Sequence, residues 1–446
     1  MTAPRPDSHS EGGAAQSFGV ERTKALWTRL EGVLASGRWN PTQGQLHHEY
    51  GTYPLLAQRG DRGRLWDTSG VEYVDWMMGW GPVVLGYRDP TVEAAIRDQL
   101  AEGPLLSLTH PLEIEVAERI RSMVPCAEGI AFGKNGSDVL ALGVRIARAH
   151  TGREMVLHYG YHGFHDWYMA GIPQCHGMPE SLRSTIQQFA YNDAGDLERL
   201  LIENRGRVAA VVMEAARDQE PAPGYLQRVR ELTREHGCIL IFDEILTGFR
   251  VAKGGAQELY GIVPDMAAVG KALANGMPLS ALCGRAEFLY TIARVGYGMT
   301  YRGETLSLAA AKATLDIIAN KPVTDSLAAT GEALRTCFHS TAAEYGIDAR
   351  LTGPSARLAI CIDRHGKLSP LAQLSLLIQE FLKHGVLSNG SFLPCYAHDE
   401  RDLEQTRIAF DRGFATLARA RTANTLVGFL TTPGIAIKYG DDEAMH

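Results

Sequence analysis

At 446 residues, 45% of them hydrophobic and 21% charged, the chain has the composition of a globular protein and not of a disordered or fibrous one. Its 44 Lys and Arg against 51 Asp and Glu give a formal net charge of -7, without the basic surplus that nucleic-acid binding needs. No run of about 18 apolar residues occurs, so no membrane span is expected, and the length suits an enzyme of two or three domains with a cleft between lobes.

Taken in chain order, residues 1–20 hold too few large apolar side chains to offset ordering entropy and read as a mobile tail without a secretory apolar stretch. Residues 21–88 read as an N-terminal segment contributing to a small lobe. Within it, 64–85 is rich in β-branched and aromatic residues and is broken by Thr68-Ser69-Gly70, the punctuation of a hairpin. After Asp89-Pro90 the pattern turns helical, and over 89–321 short apolar runs alternate with amphipathic stretches, as in an α/β domain built on a mostly parallel sheet. The clearest unit is 208–243. VAAVVME reads as a buried strand, YLQRVRELTREHG as a helix ended by Gly237, and CILIFDE as a second buried strand. Glu214 and Asp243 thereby fall at strand C-termini, the edge where open α/β sheets bind ligands. Residues 322–446, with longer polar-faced helices and strands around 356–362, suggest a smaller α+β C-terminal lobe. Seven scattered cysteines with no C-x-x-C spacing suit a reduced cytoplasm and argue against a zinc ribbon or disulfide scaffold.

Three features carry chemistry. Gly133-Lys134-Asn135-Gly136-Ser137-Asp138 precedes a helical pattern with Val139, Leu142, Ile146 and Ala149 on one face, and Ser137 stands where an N-cap belongs. Glycine admits close approach to backbone N–H groups at a positively polarised helix start, so the loop suits a phosphate, although an ordinary capped helix reads the same way. Asp243-Glu244 after an apolar strand resembles a Walker B site, but none of the Gly-Lys pairs at 133, 270 and 366 is preceded by the required Gly or followed by Ser or Thr. Lys271, 28 residues beyond Asp243, follows an apolar run among small residues, where burial would free its amine to attack a carbonyl; a surface lysine at a strand end is the plainer alternative. Phosphate, pyridine nitrogen and aldehyde together would engage all three features, and pyridoxal 5′-phosphate (PLP) carries all three.

With LIFDEILTGFR followed by PDMAAVGKALANGMPLSALCG, and with NGSDVLALGVRIARAHTGR, YHGFHDW, VVMEAARDQEPAPGYL and TYRGETLSLAAAKATL in support, the chain resembles the class III aminotransferases of the fold type I PLP family. The branch of glutamate-1-semialdehyde aminomutase and its sugar-modifying relatives is the nearest in pattern. The resemblance implies an α/β fold type I transferase, with a large PLP-binding domain and a smaller α+β C-terminal lobe. It also implies that Lys271 tethers the cofactor and shuttles the proton, and that Asp243 pairs with the pyridine nitrogen. Gly136 and Ser137 would bind the phosphate, Tyr161 and Ile245 would flank the ring, His162 would lie at its edge, and Glu214 would stand near its hydroxyl. Trp80 would line the substrate entrance, and Thr305 would reach the phosphate of a neighbouring subunit, which implies a homodimer with shared sites. Ala215 replaces the family's usual proline after the glutamate and Asp138 its usual glutamate. His158, His162 and His165 invite a metal reading, but their spacing follows a turn segment of this family, and no metal is expected.

The partners so implied are an amino-acid donor, L-glutamate or L-glutamine, and an aldehyde or ketone acceptor of the sugar or aminoglycoside type, as in antibiotic biosynthesis, with neither nucleic acid nor membrane involved. Arg217, Arg250, Arg302 and Arg357 are candidates for a substrate carboxylate. An aminomutase uses the same residues, and a non-catalytic binding protein on the same fold is the third reading.

Overall fold

The computed structural model describes residues 56–430 apart from Gln174, together with a few positions between 25 and 34; the tail expected at 1–20 lies outside the described residues. Strands β1 (Ala57–Asp61), β2 (Arg64–Asp67) and β3 (Glu72–Asp75) form an antiparallel ribbon. The Thr68-Ser69-Gly70 turn is the expected hairpin. Asp67 accepts the backbone N–H groups of Ser69 and Val71 at 2.8 and 3.0 Å, and Gly70 supplies the left-handed φ of 84°. The β element stops at Asp75, short of the expected 85, because the Asp75 carboxylate captures the N–H groups of Met77 and Met78 at 2.7 and 3.1 Å. The chain then coils through positive φ at Met78, Gly79, Trp80 and Gly81.

Next come the seven strands of the central sheet: β4 (Gly129–Gly133), β5 (Met155–Tyr159), β6 (Ile186–Gln188), β7 (Val208–Met213), β8 (Ile239–Glu244), β9 (Met266–Val269) and β10 (Ser280–Gly284). Their spatial order is β4-β10-β9-β8-β7-β5-β6; only β10 runs antiparallel to its neighbours. The apolar runs of β7 and β8 alternate between two cores. Val211, Met213, Leu240 and Phe242 pack to one side, Ala210, Val212, Ile239 and Ile241 to the other. Helices cover both faces, so neither can be polar, which is why these strands read as continuous hydrophobic runs.

The last third builds a three-stranded sheet from β11 (Ala349–Thr352), β12 (Leu358–Ile362) and β14 (Ser391–Phe392), while β13 (Val386–Leu387) joins the N-terminal ribbon beside β3. Helices Val323–Glu344, Pro370–Lys383 and Glu400–Ala423 bury Phe338, Phe381, Phe410 and Phe414 in one core with Val74 and Trp76.

Arg250, fully buried, ties three distant segments together. It donates to the carbonyls of Gly81 at 2.6 Å, Pro394 at 2.8 Å and Ala356 at 3.4 Å. Burial draws its pKa down to about 10. Arg250→Leu strands three buried carbonyls, each worth about 1 kcal/mol or more when left unpaired. The urea midpoint is therefore expected to fall by the equivalent of about 3 kcal/mol; an unchanged midpoint would remove Arg250 from this role.

Candidate active site

Glu214, Asp243 and Lys271 come together at the C-terminal edge of three adjacent parallel strands. Glu214 follows β7, Asp243 sits in β8 directly across from Ala268 of β9, and Lys271 lies two residues past β9. Lys271 adopts φ 44°, a left-handed conformation that costs an ordinary side chain energy and is held by the surrounding fold. Desolvation lowers its ammonium pKa to about 8, against the pull of Asp243 and Glu214, with Arg357 and Arg250 adding to the depression. The amine is thus far easier to free than a surface lysine's.

The helix Gly136–Thr151 begins one residue after Asn135, not at Ser137. Asn135 is extended, and its N–H donates to Asp138 Oδ2 at 2.8 Å, so the first turn is closed two residues earlier than its sequence suggests. Ser137 instead accepts the N–H of Phe164 at 3.1 Å. That contact requires Gly163, at φ 92°, where a Cβ would lie 2.0 Å from Ser137 Oγ. A Cβ on Gly136 would stand 2.9 Å from Ile245, and one on Gly270 would stand 3.2 Å from the same side chain. Ile245 therefore joins the glycine loop to the backbone that precedes Lys271.

Asp243 is buried. Its Oδ1 accepts the N–H of Ile245 at 3.1 Å, and its Oδ2 lies 2.8 Å from His162 Nδ1. His162 is fully buried against that carboxylate. Tyr161 is 61% exposed while its N–H donates to Glu214 Oε1 at 3.1 Å. Arg357 holds the other oxygen of Glu214 at 2.7 Å. Burial disfavours the Glu214 carboxylate, but Arg357, Arg217 and His162 outweigh it and hold the pKa below the usual range. The substituted Ala215 is buried, its carbonyl accepting the Tyr191 hydroxyl at 2.7 Å, so the turn after Glu214 is firmly held without proline.

Other expected residues lie further out. Trp80 is 38% exposed in the turn that Asp75 coils. Thr305 is fully buried; its hydroxyl donates to Gly103 O at 2.8 Å and its N–H to Pro104 O at 2.9 Å, so both polar groups are engaged within the chain. Of the arginines, Arg250 binds carbonyls, Arg302 lies 3.9 Å from Glu113, and Arg217 is half-exposed between Glu214 and Asp218. His165 lies 3.2 Å from Asp138, and among the described residues no group of three or more His, Cys, Asp or Glu is arranged to hold a metal. The sequence did not reveal the Glu214–Arg357 pair, because their partnership spans 143 positions with no local pattern.

An amine freed by desolvation, a buried carboxylate on the next strand and a glycine loop at a helix start fit PLP, and fold and site together define a PLP-dependent transferase of fold type I. The family model for class III aminotransferases matches residues 46–398. The chain belongs to that family and is an enzyme whose cofactor is PLP. It is 32% identical over 382 residues to the 3-aminobutyryl-CoA aminotransferase of Cloacimonas acidaminovorans, covering 83% of this chain and 91% of that one. It is 30% identical over 431 residues to the glutamate-1-semialdehyde 2,1-aminomutase of Methanosarcina acetivorans, covering 88% and 98%. Among solved structures it is similar to the FumI protein of Sphingopyxis sp. MTA144 in its PLP internal aldimine form, with a TM-score of 0.83 and 29% identity over 90% of this chain and 98% of that one. Among the described residues no helix is long and apolar enough to cross a membrane.

Proposed function

We propose that the chain is an aminotransferase moving an amino group from an amino-acid donor, L-glutamate or L-glutamine, to an aldehyde or ketone acceptor of the sugar type. The observation that carries the reading is the readily freed Lys271 amine, beside Asp243 on the same sheet edge. PLP supplies the aldehyde that takes up the amino group and a ring that accepts electrons from the donor carbon. Lys271 Nζ would tether the cofactor, be released when the donor amine takes its place, and then carry the proton from the donor carbon to the cofactor's aldehyde carbon. Asp243 would pair with the pyridine nitrogen. Gly136 and Ser137 take the phosphate, Tyr161 and Ile245 flank the ring, and Glu214, aimed by Arg357 and the Tyr161 N–H, stands near the ring hydroxyl. With Arg357 engaged, Arg217, half-exposed beside Glu214 and Asp218, would be the cation that meets a donor carboxylate. Trp80 lines the entrance. Thr305 serves a neighbouring subunit's phosphate in a homodimer, which requires its hydroxyl to exchange Gly103 for that ligand. The seven cysteines, all free thiols, suit the cytoplasm.

The aminomutase relatives favour a second reading, in which the amino group stays on one substrate. A spectrum of the PLP-loaded chain separates the two. L-glutamate or L-glutamine alone is expected to bleach the visible cofactor band. A band unmoved by either of these and by L-alanine would overturn the donor assignment and leave the aminomutase or a donor outside these three.

A further inference from the structure

The turn that carries Lys271 is strained and too short to hold its own shape. Lys271–Ala274 is a single 3-10 turn, whose hydrogen bonds are poorer than those of an α-helix. Left-handed residues bracket it, Lys271 at φ 44° and Asn275 at φ 43°. Side chains in that region relax to ordinary backbone angles unless contacts from elsewhere oppose them. The start and middle of the turn have such contacts. Gly270 packs against Ile245, and Ala272, Leu273 and Ala274 are fully buried in the same core as Leu85.

The far end is held by one side chain. Asn275 Oδ1 accepts the N–H of Leu85 at 2.9 Å, and its Nδ2 donates to the carbonyl of Gly86 at 3.1 Å. The donor must face the carbonyl and the acceptor the N–H, so the amide has a single orientation. Leu85 and Gly86 are buried, and among the described residues neither of these two backbone groups has another hydrogen-bond partner. The segment they belong to is itself fixed. Tyr87 exchanges backbone bonds with Arg62 at 2.7 and 3.0 Å, the Tyr396 N–H donates to Val84 at 2.8 Å, and a Cβ on Gly86 would stand 2.5 Å from Ala397. Asparagine meets both demands at 275. It tolerates the left-handed backbone better than most residues, and its amide offers the donor and acceptor of a peptide group.

We propose that Asn275 is a positioning residue for Lys271, clamping the turn that carries the amine onto the fixed segment at 85–87 so that the amine stays withdrawn from water. The inference deepens the tether role proposed for Lys271 and rests on that reading only where the cofactor enters; the clamp is a property of the chain without PLP. The charged groups bearing on the amine are Asp243, Arg357, Glu214 and Arg250. Asn275 is neutral, so replacing it by another neutral residue removes none of these charges. A changed titration of Lys271 then reports a changed position.

Asn275→Gly removes the amide and keeps a residue at ease in the left-handed backbone. With the clamp gone the turn can relax, and the Lys271 ammonium regains water and titrates closer to the ordinary 10.5. The test is trace acetylation of the full-length, cofactor-free chain by acetic anhydride across a range of pH, with the Lys271 peptide followed by mass spectrometry. The wild type is expected to show a midpoint of about 8. Asn275→Gly is expected about one unit higher, with about a tenfold smaller free-amine fraction at pH 7. Equal midpoints overturn the proposal even where the variant melts at a lower temperature, since a merely structural bond would move only the melt. Should Asn275→Gly fail to accumulate, Asn275→Gln is read the same way, its amide being too long to meet both backbone groups. Borohydride reduction of the PLP-loaded wild type then names the lysine that holds the cofactor. Lys271 is expected; a different lysine overturns the tether role and not the clamp, which the acetylation decides by itself.

Discussion

Lys271→Ala is expected to abolish turnover and the visible absorbance of the bound cofactor together, because in the proposed function one amine serves as both tether and base. Losing the base alone costs about 10²- to 10⁴-fold, and losing the tether removes the band. An accumulating variant that retains either property would place the chemistry elsewhere. The pH dependence follows from the depressed amine. With a pKa of about 8 in place of 10.5, the free-amine fraction at pH 7 is roughly 300-fold larger than for an ordinary lysine. PLP uptake by the cofactor-free chain should therefore climb with pH up to about 8 and then level off. A rise continuing towards 10.5 would show an unperturbed lysine. Stability carries the matching sign. Between about 8 and 10.5 the unfolded chain holds a proton that the folded chain has lost, so the cofactor-free fold gains stability as pH rises through that window.

Asp243→Ala is expected to lower kcat by about 100-fold or more, because in the proposed function the charge that would hold the pyridine nitrogen protonated is lost. The change also leaves the His162 ring and the Ile245 N–H without their acceptor. Asp243→Asn separates the two effects, since it keeps a polar group of the same shape and removes only the charge. A large loss in both variants assigns the effect to charge; near-normal turnover in either removes Asp243 from the proposed role.

Much of this arrangement is written locally in the chain. The 208–243 unit is legible because buried strands and an amphipathic helix differ in apolar period, and the edge that carries Glu214 and Asp243 follows from that alternation alone. The turn at Gly70 and the helix start at Pro90 are equally local, each set by an aspartate within three residues. Where the reading fails, a local signal meets a contact from elsewhere. Ser137 has the chemistry of an N-cap, but the Phe164 N–H takes its hydroxyl and Asn135 with Asp138 closes the turn. The run at 76–85 has the composition of a strand, but Asp75 turns its own carboxylate onto the N–H groups of Met77 and Met78. Neither the Glu214–Arg357 pair nor the contact of His162 with Asp243, 81 positions apart, leaves a periodic trace in the sequence.

Arg250 sets an order on the birth of the molecule. All seven strands of the central sheet lie between residues 129 and 284, so the ribosome has delivered every one of them well before it makes Ala356 and Pro394. Until those two carbonyls arrive, the guanidinium has Gly81 as its sole acceptor among the three and no reason to leave water. The turn that carries Trp80, already coiled by Asp75, is therefore tied to the other two segments only when the C-terminal third docks. A nascent chain can thus complete its sheet before the segments that Arg250 ties together are all present.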